Sequence, residues 1–149
     1  MKKKIKIAIF ISDVGFGHMA RERAIIKTIF KKIKKAEITI INSSVIGILK
    51  QEFKEKCLYI NLNNNIKLFK TKFGTLDAKI TKKNFYRWLK NKNINILKLE
   101  KKLEDYDIII SDFVPEAFEL GKKLNIPAYG ICHYTWSWFM KSLGMKKEQ

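Results

Sequence analysis

The chain has 149 residues, 46% of them hydrophobic, which is the length of one domain with enough apolar content for an ordinary core. Thirty-one Lys and Arg against 14 Asp and Glu leave a formal charge of +17, which reads first as compositional drift and second as the electrostatic footprint of a protein that meets a phosphorylated ligand or an anionic membrane surface. The lysines run evenly through a chain rich in Ile and Asn, with no interleaved stripe of aromatics, so dedicated nucleic-acid binding is not expected.

The opening, MKKKIKIAIFISD, imitates a secretory leader, but its apolar run is short, Lys6 interrupts it, and Asp13 stands where a cleavage site needs a small residue. It reads as a first strand, Ile5–Ile11, β-branched and apolar on both faces as in a parallel sheet. Residues 19–33 follow at helical spacing, with Ala20, Ala24, Ile25, Ile29 and Ile33 near one face and lysines opposite. A second strand at 37–41 closes on Asn42, Ser43 and Ser44, any of which suits the cap of a helix over 45–54, and a short third strand follows at 58–60. Residues 61–77, with Asn63 to Asn65 in a row, read as a loop or flap. A long helix with a basic outer face is expected over 81–103, a strand over 107–110, a break over 111–115, and a helix over Glu116–Leu124 ended by Asn125 and Pro127. A fifth strand over 128–132 leads into an aromatic-rich segment at 133–144.

Strands alternating with helices predict one α/β unit, a Rossmann-like parallel sheet with helices on both faces. In such sheets the ligand crevice lies at the carboxyl ends of the strands. The unusual polar residues fall there: Ser12 to His18, Asn42 to Ser44, Ser111 to Glu116, and His133 to Trp136. Cys57 and Cys132 lack CxxC spacing and a His pair, so they read as reduced core thiols and no metal site is expected. No run approaches the roughly 20 apolar residues of a membrane span. A cytoplasmic protein, soluble or peripheral at the membrane, is the expectation.

Gly15, Gly17 and Ala20 formally satisfy GxGxxA, yet three residues separate the strand from the first glycine, and Asn42 replaces the acid that would hold a ribose. A dinucleotide site is therefore disfavoured. What remains is a glycine loop that delivers His18 to the first turn of a helix, where glycines let a ligand approach the backbone. His18 fits a general base there, and equally a helix cap. Arg21, one turn on, fits a phosphate or a surface acid. Asp112 suits a loop backbone or a sugar hydroxyl, Pro115 fixes the first helical turn after it, and Glu116 suits the positive end of that helix. His133 and Trp136 are a second histidine and an aromatic platform at the crevice, with core packing as the bland alternative for both.

IAIFISDVGFGHMARERAI together with IIISDFVPEAFELGKKLNIPAYGICHYTWSWF resembles the N-terminal, acceptor-side domain of GT-B fold glycosyltransferases. Within that group it is similar to the glycosyltransferase-like region of arabinokinase-type proteins, where GFGH-x-x-R and SD-x-x-P occur in this order. The resemblance implies a two-domain enzyme whose N-terminal half binds the acceptor and supplies the base, with Gly15, Gly17, His18 and Arg21 in the first motif and Ser111, Asp112 and Pro115 in the second. It implies no resident cofactor, and a nucleotide-sugar donor held by a missing domain or a separate donor-binding subunit. The expected partners are a sugar or lipid-linked acceptor and, peripherally, an anionic membrane. On this reading residues 1–149 are one incomplete N-terminal domain without the donor half. The rival expectations are a non-catalytic sugar or sugar-phosphate binding module and a basic adaptor for anionic membrane or nucleic acid.

Overall fold

A computed structural model describes residues 4–14, 16–63 and 66–145. Five strands form a single parallel sheet in the order β3-β2-β1-β4-β5, with β1 Ile5–Ile11, β2 Ala36–Asn42, β3 Cys57–Asn61, β4 Ile108–Asp112 and β5 Ala128–Gly130. The β-branched runs seen in the sequence become strands because both faces of the sheet are covered. Ile7, Ile9 and Ile11 point to one layer and Ala8 and Phe10 to the other, all buried.

Two helices cover each face. α1, Phe16–Lys32, and α2, Ile46–Phe53, pack through Met19, Ile26, Leu49 and Phe53 on the first face. α3, Ala78–Leu103, and α4, Glu116–Leu124, pack through Ile96, Leu99, Leu103, Ala117 and Leu120 on the second. α3 begins on a side-chain cap, the Asp77 carboxylate accepting from the Ile80 amide at 2.9 Å. A final helix, α5 Trp136–Ser142, builds a third apolar cluster with Trp88, Ile66 and Met140 beside the carboxyl edge of the sheet.

The expected α/β fold is the one observed, and its helix boundaries shift by a few residues. α1 starts at Phe16 rather than Met19, so the second glycine of the loop is already helical. Asp112 closes β4 instead of following it, because its register partner Ile11 extends the ladder. β5 stops at Gly130. Cys57 is buried as expected, but Cys132 lies on the exposed loop beyond that strand and is not a core thiol. Gly121 is required by close packing. A Cβ there would lie 2.9 Å from both the Ala128 Cβ and the Ile126 carbonyl oxygen, so α4 reaches its loop and β5 only through a glycine.

Asn42 is buried at the end of β2 and shows why an acid is missing there. Its amide donates to the Ile11 carbonyl at 2.9 Å and to Asp13 at 2.8 Å, while its oxygen accepts from the Val45 amide at 2.7 Å. Aspartate has no donor for the first two. Asp13 in turn accepts from Ser43 and Ser44, so the loops after β1 and β2 are tied into one rim.

Candidate active site

The strand order places β4 directly against β1 although 96 residues lie between the end of β1 at Ile11 and the start of β4 at Ile108. Succession runs outward from β1 through β2 to β3, and the chain then crosses back to β4 and β5. The switch point therefore lies between β1 and β4, where doubly wound sheets open a crevice. α1 rises from the end of β1 and carries His18 and Arg21, three residues apart on one helical face, over the end of β4.

There the side chains close a network. The His18 Nδ1 lies 2.6 Å from Asp112 Oδ1, and Arg21 donates from Nε to Oδ2 at 3.1 Å and from Nη2 to Oδ1 at 2.5 Å. Asp112 is 0% exposed, and both its oxygens take charge-assisted bonds from Arg21. Asp112 in turn holds the Arg21 guanidinium firmly charged. Arg21 Nη2 lies 3.2 Å from the same Nδ1, but the shorter contact, to an acceptor-only oxygen, needs a proton between the two atoms, so the ring carries its proton on Nδ1 and Nε2 keeps the lone pair. The ring stacks on Phe113 at 5.8 Å between centroids with 10° between planes, and Phe113 stacks on Trp136 at 4.4 Å. Trp136 Nε1 donates to the Phe113 carbonyl at 2.9 Å. Phe113 itself sits at φ 64°, a left-handed conformation that bulky residues avoid, held by the Ser111 hydroxyl bonding the Val114 amide and carbonyl.

A cavity of about 290 Å³ opens beside this network. Gly17, His18 and Arg21 form its α1 wall, and Phe113, Cys132, His133 and Tyr134 form the other. Gly17 faces it with nothing within 4 Å of a would-be Cβ, so a side chain there would intrude on the cavity's occupant and on no protein atom. Gly15 lies outside the described residues. Asp112 stands behind His18 with its oxygens engaged, and not on the cavity wall. Pro115 and Trp136 line two neighbouring apolar cavities of about 300 and 240 Å³. Glu116 is buried, accepts from Trp88 Nε1 at 2.6 Å, and has its proton affinity raised mainly by that burial. Among the described residues no group of three or more His, Cys, Asp and Glu gathers as metal ligands would.

Two site residues escaped the sequence reading. Phe113 gives no local signal, since its role comes from an unfavourable backbone state. Glu22 gives a faint one, as the only acid of α1, four residues after His18. It is 0% exposed and lies against Asp112. Burial first, then repulsion from Asp112, pushes its pKa from 4.5 up to about 8, with Arg21 only partly opposing, so Glu22 is protonated at neutral pH.

No family model and no curated protein matches the sequence. Solved structures do share the fold. The calicheamicin glycosyltransferase CalG4 aligns over 97% of this chain and 38% of its own at 14% identity, with a TM-score of 0.61. Medicago truncatula UGT71G1, complexed with UDP-glucose, aligns over 85% of this chain and 29% of its own at 15% identity, with a TM-score of 0.58. Phytolacca americana UGT2, complexed with UDP-2-fluoro-glucose and pterostilbene, aligns over 87% and 31% at 14% identity, with a TM-score of 0.56. These are GT-B glycosyltransferases, and the chain has the fold of about one third of each.

Proposed function

We propose that this chain is the acceptor-binding half of a GT-B-like glycosyltransferase, with His18 as its general base. The observation that carries the reading is the buried Asp112 carboxylate fixed on His18 Nδ1 at 2.6 Å beside an open cavity. The acceptor hydroxyl sits in that cavity against Nε2. Its proton passes to Nε2 as its oxygen bonds the anomeric carbon of a nucleotide sugar, and the bond from that carbon to the diphosphate breaks, the diphosphate leaving with the electron pair. Asp112 stabilises the imidazolium that forms, and Arg21 holds the Asp112 side chain in place behind the ring. The sugar donor is assigned to a further domain or subunit, in keeping with solved relatives that hold UDP or a UDP-sugar and of which this chain spans about a third. The finer likeness, to the arabinokinase-type region, rests on the GFGH-x-x-R and SD-x-x-P motifs.

The test is transfer by the complete enzyme that contains this chain. His18→Ala is expected to lower turnover by about 10²–10⁴-fold with a much smaller change in acceptor affinity. Unchanged turnover removes His18 from the reaction. Specific sugar binding without any transfer in the presence of a donor half points to a non-catalytic binding module instead.

A further inference from the structure

The proposed transferase site uses one rim of the sheet and leaves the long helix α3 unexplained. Its inner face is buried through Trp88, Ile96, Leu99 and Leu103. Its outer face is not the polar surface of a solvated helix. Ile80 is 48% exposed, Tyr86 39%, Ile94 51% and Leu97 63%, and these four alternate with exposed Lys79, Lys83, Arg87, Lys90, Lys98 and Lys101 on the same outward half-turn. From Ala78 to Leu99 there is no acid, and the one acid of the helix, Glu100, is bonded to Lys123 at 2.6 Å. Lys92, on the side of α3 toward α4, pairs with Glu119, and in the opposite layer Arg23 and Lys27 of α1 share Glu52.

We propose that the outer face of α3 is a docking surface for an anionic lipid membrane, lying parallel to it. At about 1.5 Å per residue the helix presents a strip of roughly 39 Å. Cations flanking a line of aliphatic side chains match the two layers of such a surface, lipid phosphates for the Lys and Arg heads and the acyl boundary for Ile80, Ile94 and Leu97. A nucleic acid satisfies the charges only, because three of the four exposed apolar groups are aliphatic and gain nothing from stacking. No helix among the described residues is long and apolar enough to cross a membrane, so the contact is peripheral.

The experiment is co-sedimentation of the full chain with vesicles of phosphatidylcholine alone and of phosphatidylcholine with 30% phosphatidylserine, at about 150 mM salt. Binding to the anionic vesicles only is expected. Lys83→Gln/Lys90→Gln/Lys98→Gln should lower the partition coefficient more than about tenfold, whereas Lys31→Gln/Lys32→Gln/Lys34→Gln, an equal loss of charge at the far end of α1, should lower it less than about twofold. Ile94→Ser/Leu97→Ser keeps every charge and should also weaken binding several-fold. Equal losses in the two lysine variants would show a response to net charge alone and overturn the proposal. So would no binding to anionic vesicles, or binding of single-stranded RNA that the α3 variant loses while the vesicles are ignored. None of these outcomes bears on His18, which lies on α1.

Discussion

Glutamine at position 22 removes a titration that the pH dependence of folding reads directly. Below pH 4.5 the folded and unfolded chains both hold the Glu22 proton, and between 4.5 and about 8 only the folded chain does. Over that window the native state binds one proton more, so stability falls as pH rises, by about 1.4 kcal/mol per unit. The loss reaches about 3 kcal/mol at pH 7 and about 5 kcal/mol from pH 8 upward, where it becomes constant. Glu22→Gln cannot titrate. The cost of burying its amide displaces the stability curve without tilting it. Urea unfolding of both proteins from pH 4 to 9 should give a difference that slopes over 4.5 to 8 and is flat beyond. Parallel curves across the window would refute the reasoning, because they require an ionised and well-partnered Glu22 in the folded chain. Asp112→Asn supplies a second arm: with the carboxylate's charge and its hydrogen bond to Glu22 removed, burial is the main cause left that raises Glu22, and the upper end of the slope should move down.

Three further outcomes follow from the packing and the site. Gly121→Ala drives a Cβ against the backbone oxygen of Ile126 at 2.9 Å, and thermal or urea unfolding should show a loss of about 1–3 kcal/mol. Gly17→Ala meets no protein atom, so stability should hold or rise slightly, while acceptor binding measured by calorimetry weakens. Cys132 is exposed whereas burial pushes the Cys57 thiol up to about 11, so a thiol reagent at pH 8 should label one site in the native protein and two after denaturation, with peptide mapping placing the first at Cys132.

How far the site was legible depended on the range of each interaction. His18 and Arg21 were visible because they share a local feature, a glycine bend before an amphipathic helix. Their meeting with Asp112 spans 94 and 91 residues and has no local mark. Trp136 shows the same limit from the other side, since an aromatic-rich segment does not say whether a ring faces solvent, and here it is buried against Phe113. Glu22 sits on a lysine-rich helix, and only the packed face it occupies sets it apart from the surface charges.

By itself the sequence determined which segments are strands and helices and that the polar loops gather at the carboxyl ends of the strands, because side-chain period and turn residues act over a few positions. It did not determine the order β3-β2-β1-β4-β5, for five apolar strands of similar composition offer many parallel pairings. Packing of helices on both faces chose among them, and only that choice brought β4 beside β1, buried Asp112 and Glu22, and turned an isolated histidine into one with a fixed tautomer.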